Sequence, residues 1–226
     1  MTKYVSFSLW GNQPIYNVGA IRNAELMKTI YPDWKMIVYY DNTVPSETIE
    51  KLQDLDVVVK DMTNSGFYGM FWRFFAHDEP DCEYVVFRDA DARITEREKL
   101  AVDEWISSGK SIHVMRDHPA HRIPYGNNGL GILGGMWGIK TRVIPITELI
   151  RRYPLSKENK YGNDQSWLKS IYSIFENDRC THDEFFENKP FPIKRKPGEF
   201  IGSRIDQNDM PVGTDHLAVS WKKYYT

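Results

Sequence analysis

Two aspartates near the middle of the chain form the clearest candidate for chemistry. Asp89 and Asp91 are two residues apart and follow the short apolar segment 84–87 and Arg88. Hard divalent cations such as Mg²⁺ and Mn²⁺ prefer oxygen ligands of this kind and often bridge them to substrate phosphates. A diphosphate leaving group needs such a cation, because negative charge develops on it as the bond breaks. The pair therefore predicts a metal–diphosphate site, although a capped turn beside a capped helix is the alternative.

The strands and helices that must position this pair alternate through the first half of the chain. Segments with alternating or continuous apolar residues precede segments whose apolar residues recur at helical spacing. This order is typical of an α/β protein with a mostly parallel central sheet flanked by helices. We predict strands at 4–9, 35–40, 57–59, 84–87 and 111–115, and helices at 20–30, 45–55, 67–77 and 95–107.

Polar side chains at the ends of these strands are the next candidates, because ligands of such sheets bind beyond the carboxyl ends of the strands. Trp10, Asp41 and Asp117 each follow a predicted strand, as the aspartate pair does. Ser8 points to the same side of its strand as Trp10, because side chains alternate with a period of two. A surface turn with an aromatic lid is the alternative for Trp10 and Asp41.

The second half of the chain is less regular. Residues 129–140 are rich in glycine, which would let the backbone approach a ligand closely or form a bulged strand. Gly135 in this segment is therefore a candidate ligand contact. Helices are predicted at 145–153 and 164–175. No internal repeat, low-complexity tract or linker is visible in the sequence, which favours a single domain over residues 1–226.

Five short segments occur in an order that is more specific than any one of them. They are Phe-Arg-Asp-Ala-Asp at 87–91, Ile-Leu-Gly-Gly-Met-Trp-Gly at 132–138, Asn-Asp-Gln-Ser-Trp-Leu at 163–168, Thr-His-Asp at 181–183 and Gly-Glu-Phe-Ile-Gly at 198–202. In this order they resemble the DxD element, the acceptor-side strand, the Asp-Gln helix and the closing elements of small bacterial and viral glycosyltransferases of the GT-A fold. The resemblance extends over about residues 4–205.

The resemblance implies a Rossmann-like GT-A fold with two functional halves. A nucleotide-sugar-binding half, residues 1–115, would be followed by an acceptor-binding half, residues 116–226. The implied donor is a nucleoside-diphosphate sugar, with UDP favoured by the habit of the family. The implied acceptor is a hydroxyl of a glycan or related molecule, and the implied cofactor is Mn²⁺ or Mg²⁺.

The same resemblance implies roles for the donor-binding candidates. In that fold the exits of the first two strands hold the base, so Trp10 would stack on it, Asp41 would accept its ring N–H, and Ser8 would lie beside them. Independently of the resemblance, Arg73 and His77 are four residues apart on the predicted aromatic helix and would share one helix face. Arg73, which precedes the strand at 84–87, would pair with Asp89 or with the pyrophosphate. A solvated helix tip is the alternative for Arg73.

Asp164 is the first candidate for catalysis. As a carboxylate near the sugar, it would act as a base in an inverting enzyme or stabilise the oxocarbenium-like centre in a retaining one. Its pairing with Gln165 favours the retaining outcome, while its position before a helix is also typical of an N-cap. Asp117 is the rival, because it follows a strand directed to the same crevice, although with His118 it would otherwise bind donor hydroxyls.

Two histidines are candidates for a third protein ligand of the metal. The chain lacks the C-terminal His-x-x-Gly-x-x-Lys-Pro-Trp element of the galactosyltransferase-like retaining families. His182, which follows the helix at 164–175, is the first candidate to join Asp89 and Asp91, and His216 is the second. A structural role is the alternative for each histidine.

Two other enzyme classes and one binding function share parts of this pattern. Haloacid-dehalogenase-like phosphatases also place DxD after an apolar strand, but normally at the start of the chain and followed by Thr or Val. Sugar-phosphate nucleotidyltransferases use a glycine-rich basic loop after the first strand, whereas residues 6–14 contain no Lys or Arg. A carbohydrate- or nucleotide-binding module without catalysis is the alternative that is not an enzyme.

Composition narrows the partners and the compartment. The net charge of −2 does not suggest a nucleic-acid-binding protein, and the basic run at 194–196 is typical of a solvated loop or a phosphate contact. Aromatic residues reach 14%, which fits a ring-filled core or surfaces that stack on bases and sugars. The two cysteines form no disulfide framework, and no segment resembles a signal peptide or a membrane span, so we expect a cytoplasmic protein.

Overall fold

The computed structural model describes residues 1–121 and 131–220, and its first half alternates strand and helix as predicted. The elements are β1 (Thr2–Leu9), α1 (Pro14–Ile30), β2 (Lys35–Tyr40), α2 (Ser46–Asp54) and β3 (Val58–Asp61). α1 begins at Pro14, whose fixed φ suits a first helical position and whose missing N–H would have no partner there. The buried side chains of β1 and β2 pack on both faces of the sheet, so both strands are central.

The predicted aromatic helix at 67–77 is divided into two short pieces. α3 (Gly69–Trp72) is followed by a 3₁₀ helix, Arg73–Asp78. With three residues per turn, residues four apart do not share a face of a 3₁₀ helix. Arg73 accordingly points toward the carboxyl edge of the sheet, while His77 contacts Asp78 and the carbonyl of Lys140. The prediction that Arg73 and His77 share one helix face is therefore wrong.

The middle of the chain returns to regular elements. These are β4 (Cys82–Arg88), α4 (Glu96–Ser108) and β5 (Ile112–Arg116). Thr95 caps α4, because its Oγ1 accepts a hydrogen bond from the backbone N–H of Glu98 at 3.2 Å. Gly109 ends the helix in the left-handed conformation, at φ 70°, which glycine adopts without steric cost.

The remaining elements were only partly predictable. They are β6 (Met136–Lys140), α5 (Ile146–Arg152), a 3₁₀ helix (Pro154–Lys157), α6 (Asn163–Ile174), β7 (Arg179–Asp183) and α7 (Asp215–Ala218). Gly129 and Leu130, which begin the predicted glycine-rich segment, lie outside the described residues. β7 had no strand-like pattern in the sequence, because its five residues are mostly polar. None of the helices in the described parts of the chain has the length and apolar character that crossing a bilayer requires.

Within residues 1–121 and 131–220, seven strands form one sheet in the order β3-β2-β1-β4-β6-β5-β7. β6 is antiparallel to β4 and β5, and every other pairing is parallel. The prediction of a mostly parallel central sheet flanked by helices is therefore confirmed. As a result, β1, β2, β3, β4, β5 and β7 all end at one edge, and β6 starts there.

An aromatic cluster beneath this edge connects helix α6 to the sheet. The rings of Phe74, Phe87, Trp137 and Trp167 pack with centroid separations of 4.5–5.6 Å. All four side chains are buried, and each contributes a large apolar area to the core. Because Trp167 is three residues after Asp164 on α6, this packing also fixes the N-terminus of that helix relative to β4.

Candidate active site

A cavity of about 740 Å³ opens at the edge where the parallel strands end. Its size is within the usual range for sites that bind small molecules. The walls combine aromatic rings, charged side chains and glycines from both halves of the chain. Among the described residues, the aromatic group is Trp10, Tyr16, Tyr68 and Tyr161, the charged group is Arg73, Asp89, Asp91, Asp164 and Arg204, and the glycines include Gly134, Gly135 and Gly202.

Arg73 lies at the centre of the charged group and joins two of the predicted aspartates. Its Nη1 is paired with the carboxylate of Asp89, and its Nη2 lies 3.2 Å from Oδ2 of Asp164. Strand β1 fixes its backbone, because the N–H of Arg73 donates to Oγ of Ser8 at 2.9 Å and Oγ of Ser6 donates to its carbonyl at 2.7 Å. Ser8 thus lies in the cavity wall and positions the arginine that organises the site.

Asp164 lines the cavity at the start of α6. Its carboxylate is buried, and its Oδ1 accepts a hydrogen bond from the backbone N–H of Gln165 at 2.8 Å. Burial raises the pKa of Asp164, while the charge of Arg73 acts in the opposite direction. Because both of its oxygens already accept hydrogen bonds, Asp164 is held in one orientation.

Asp91 is paired with a residue that the sequence did not reveal. Oδ2 of Asp91 lies 2.9 Å from Nε of Arg204, and the backbone N–H of Ile205 donates to the Asp91 carbonyl at 2.7 Å. Burial and then the nearby Asp89 raise the pKa of Asp91, while Arg204 lowers it. The C-terminal part of the chain thus contacts the second aspartate directly.

Glycines 134 and 135 allow the start of β6 to pass close to the charged group. A Cβ on Gly135 would collide with the carboxylate of Asp89, and one on Gly134 would lie 2.5 Å from Oδ2 of Asp164. The carbonyl of Gly135 accepts a hydrogen bond from Nη1 of Arg88 at 2.5 Å, and that buried arginine is in turn paired with Glu98 at 2.9 Å. Space for the charged side chains therefore explains both glycines.

Asp89 and Asp91 have the chemistry that a hard divalent cation requires. Both present carboxylate oxygens to the same cavity, and both carry charge that an arginine partly balances. The described residues contain no group of three or more His, Cys, Asp or Glu side chains arranged to hold a metal. The two aspartates thus fit a cation whose other ligands come from a substrate diphosphate and water.

The structure does not bring His182 to this pair of aspartates. His182 lies on β7, with Nδ1 2.8 Å from Nε2 of His113 and Nε2 2.8 Å from Glu104. Both ring nitrogens therefore already have partners outside the cavity, which corrects the expectation that His182 joins Asp89 and Asp91. His216, the second candidate, lies on α7 and also does not line the cavity.

Asp117 is likewise buried away from the cavity instead of facing it. Its carboxylate accepts from Nη2 of Arg97 at 3.0 Å, from Nη2 of Arg195 at 2.6 Å and from the backbone N–H of Ile201 at 3.0 Å. The side chain is fully buried, so the structure corrects the expectation that Asp117 rivals Asp164 as a catalytic group. The basic run at 194–196 is also corrected in part, because Arg195 is a buried ion-pair partner.

Trp10 and Asp41 separate in the structure although both follow strands. Trp10 lines the cavity and packs edge-on against Trp72, with ring centroids 6.1 Å apart. Asp41 does not line the cavity. It accepts a hydrogen bond from the N–H of Thr43 at 3.0 Å, and Oγ1 of Thr43 accepts from the N–H of Gly11 at 2.6 Å. Asp41 thus supports the turn that follows β1.

Several residues of the cavity wall are not predicted by the sequence pattern. His121 follows a strand by five residues, and its Nδ1 accepts a hydrogen bond from the N–H of Asp117 at 3.0 Å, so the neutral ring carries its proton on Nε2. Burial lowers the pKa of His121 to about 3, with the neighbouring His118 adding to the effect. Arg204 has no local signal, because its partner is 113 positions away. Tyr16 and Tyr161 do not follow a predicted strand, so the pattern of strand ends does not include them.

Solved structures share the fold of this chain, whereas sequence comparison alone finds no relative. No protein-family model matches the chain, and no curated protein matches it. The galactosyltransferase LgtC in complex with donor and acceptor sugar analogues is 14% identical, with a TM-score of 0.51 over 81% of this chain and 74% of that one. Glucosyl-3-phosphoglycerate synthase from Mycobacterium tuberculosis in complex with UDP is 13% identical, with a TM-score of 0.52 over 80% of this chain and 69% of that one.

A third structure has a longer chain than this protein. TarS residues 1–349 from S. aureus are 14% identical, with a TM-score of 0.51, and the match covers 84% of this chain. The match spans only 59% of that TarS chain. Together with the sheet order, these likenesses show that the chain has the Rossmann-like GT-A fold, as predicted from the ordered motifs.

Proposed function

We propose that this protein is a glycosyltransferase that moves a sugar from a nucleoside-diphosphate sugar, with UDP the favoured nucleotide, to a hydroxyl of a glycan or related acceptor. The observation that carries the proposal is the meeting of Asp89, Asp91, Arg73 and Asp164 in one cavity at the carboxyl edge of a GT-A sheet. The galactosyltransferase and the UDP-bound synthase that share the fold support this class of reaction.

The metal side of the reaction rests on Asp89 and Asp91. Mn²⁺ or Mg²⁺ held by these carboxylates would neutralise charge that develops on the diphosphate as it leaves. Asp89 has a side chain that is 50% exposed, so its oxygens can reach a ligand in the cavity. Gly135 has no side chain that would displace this carboxylate, which is the reason for including it in the donor-binding set.

The base of the donor would lie against the end of β1. Trp10 offers a partly exposed ring to the cavity, and its contacts with Tyr68 and Trp72 hold the ring in place. A fixed aromatic face is suited to stacking on a nucleobase. Asp41 would act here through the turn that it supports, instead of through a direct contact with the base.

Asp164 would face the sugar and stabilise positive charge at the anomeric carbon. The sugar develops oxocarbenium-like charge as its bond to the diphosphate breaks, and a nearby carboxylate favours that charge. Both oxygens of Asp164 accept hydrogen bonds, so we assign it a charge-stabilising role over that of a proton acceptor. This assignment agrees with a retaining outcome.

The acceptor would enter beside Tyr161. This ring lines the cavity and is 84% exposed, in the turn that precedes α6. Exposed aromatic rings beside a polar cavity suit the apolar face of a sugar ring, while their hydroxyl groups stay in water. The acceptor would thus reach the reacting carbon from the side of Tyr161 and Gln165.

Calorimetric titration of nucleotides tests the proposal. UDP, GDP, CMP and dTDP are titrated separately with Mn²⁺ and with EDTA, against the wild type and an Asp89→Ala/Asp91→Ala variant. We expect one diphosphate to bind with Mn²⁺, and binding to be lost with EDTA and in the double variant. Sugars of that nucleotide are then screened for transfer and for metal-dependent hydrolysis.

Three results would contradict the proposal in different ways. Binding that ignores both the cation and the double variant would remove Asp89 and Asp91 from the site. Release of phosphate from a generic phosphate ester would instead indicate a phosphatase. Tight binding of a nucleotide sugar without transfer or hydrolysis, across the screened acceptors, would indicate a binding module.

A further inference from the structure

Arg204 lies in the cavity wall and leaves much of its guanidinium uncommitted. Only its Nε is bonded, at 2.9 Å from Oδ2 of Asp91. Its two terminal nitrogens have no hydrogen-bond partner among residues 1–121 and 131–220, and its side chain is 53% exposed. A guanidinium stays charged at all ordinary pH values and offers a planar fork that matches phosphate oxygens.

The backbone around Arg204 is fixed independently of this ion pair. The N–H of Ile205 donates to the carbonyl of Asp91 at 2.7 Å, and the N–H of Val212 donates to the carbonyl of Arg204 at 2.9 Å. Arg204 also forms a β-bridge with Ala92. The side chain can therefore leave Asp91 without detaching the segment that carries it.

Arg73, the other arginine of the cavity, is not free in this way. Its side chain is only 6% exposed, and both terminal nitrogens are bonded to carboxylates. Its backbone is held by Ser8 and Ser6 on β1. Of these two arginines, Arg204 is thus the one that can move toward a ligand.

We infer that Arg204 exchanges partners when the donor binds: it leaves Asp91 to the divalent cation and forms a forked contact with the diphosphate of the nucleotide. The inference rests on the proposed function. Asp91 attracts either a cation or Arg204, but two positive groups on one carboxylate repel each other. A diphosphate beside them adds negative charge that accommodates both, so cation and nucleotide should each bind better when the other is present.

Removing the guanidinium should move the two affinities in opposite directions. In Arg204→Gln, the guanidinium that competes with Mn²⁺ for Asp91 is gone. We therefore expect Mn²⁺ alone to bind about fivefold more tightly than it binds the wild type. With saturating Mn²⁺, UDP loses its forked contact and should bind about tenfold more weakly, because a charge-assisted hydrogen bond contributes roughly that much. UMP, which lacks the second phosphate, should lose less affinity than UDP.

Two matched variants separate this exchange from a looser C-terminal segment. Arg93→Gln removes a cation that holds the same segment, since Nη2 of Arg93 donates to the carbonyl of Asp206 at 2.9 Å, but it removes nothing from the cavity wall. We expect Arg93→Gln to leave the Mn²⁺ and UDP affinities as in the wild type. Arg204→Lys keeps the charge without the fork, so it should retain weak Mn²⁺ binding and give an intermediate UDP affinity.

Calorimetry for UDP and UMP, and electron paramagnetic resonance for free Mn²⁺, measure these affinities on the full chain. Arg204→Gln affinities that are both unchanged or both weakened would overturn the exchange, as would the same pattern in Arg93→Gln. If the wild type still binds UDP with Mn²⁺, these results overturn only the exchange at Arg204, and the proposed function stands. A wild type that binds none of the tested diphosphates would overturn the proposed function, and the exchange with it.

Discussion

Two aspartates that look alike in the sequence occupy contrasting surroundings. Asp89 follows β4 and Asp117 follows β5, and both strands end at the same edge of the sheet. The carboxylate of Asp89 is half exposed in a cavity, and its partner Arg73 also pairs with Asp164. The carboxylate of Asp117 is fully buried between Arg97 and Arg195. A strand exit therefore does not by itself define a reactive position.

The difference arises from what covers each strand end. Gly135 passes beside Asp89 without a side chain, so the Asp89 carboxylate has room there and stays half exposed in the cavity wall. Asp117, in contrast, is covered by the C-terminal half of the chain. Arg195 pairs with its carboxylate, and the N–H of Ile201 donates to its Oδ2 at 3.0 Å. Because Gly202 and Arg204 follow directly, Asp117 anchors the segment that completes the cavity wall.

Replacing Asp117 should cause the largest effect on stability. Among the described residues, Asp117→Ala leaves the buried Arg97 and Arg195 with Glu184 as their one carboxylate partner, and breaking such a pair typically costs about 3–5 kcal/mol. We expect the midpoint of urea denaturation to fall markedly, with an unchanged slope. Asp117→Asn, which keeps one oxygen acceptor, should be destabilised less. A full loss of turnover at normal stability would instead restore Asp117 as a catalytic residue.

Replacing Asp89 should have the opposite signature. Asp89→Ala removes an oxygen ligand from the proposed diphosphate site, so turnover of the nucleotide sugar should fall about 10²–10³-fold, as for other lost charge-stabilising groups. Because the Asp89 side chain is half exposed, and Arg73 keeps Asp164 and the carbonyl of Arg88 as partners, the unfolding free energy should change by less than about 1 kcal/mol.

Asp61 provides a matched control for Asp89. It also ends a parallel strand, β3, but it bonds Thr63 and lies outside the cavity wall. Turnover of Asp61→Ala should equal that of the wild type in the same transfer assay. If Asp89→Ala turned over the nucleotide sugar as fast as Asp61→Ala and the wild type, the two strand ends would not differ in function.

The sequence predicts those parts of the fold that depend on local pattern. The strands at 35–40 and 84–87 and the helix at 95–107 were located within a few residues, because their apolar spacing and the Thr95 cap are local signals. The exit of β4 was identified for the same reason. The ordered motifs then indicated the GT-A fold, which the sheet order bears out.

The sequence did not predict contacts between distant segments. Arg204 and Asp91 are 113 residues apart, and Arg195 and Asp117 are 78 residues apart, so neither pair leaves a local pattern. β7 escaped notice because its pairing with β5, and not its composition, makes it a strand. His182 was misjudged for the same reason, since its partners His113 and Glu104 belong to other elements.

Acid should weaken the region around Asp117 through His121, which lies between the two regions. His121 lines the cavity and accepts the N–H of Asp117, and burial lowers its pKa to about 3. An unfolded chain protonates this ring below about pH 6.5, whereas the folded chain does not until about pH 3. Stability is therefore lost as the pH falls from about 6.5 toward 3.

Comparison with His121→Gln isolates this contribution, because other titrating groups are common to both proteins. Between pH 7 and pH 5, the wild type should lose up to about 2 kcal/mol more unfolding free energy than the variant, from proton linkage at one site. Urea denaturation at pH 7, 6 and 5 measures the difference. Parallel curves for the two proteins would mean that the folded chain accepts the proton, and that His121 is more open to water than its contact with Asp117 indicates.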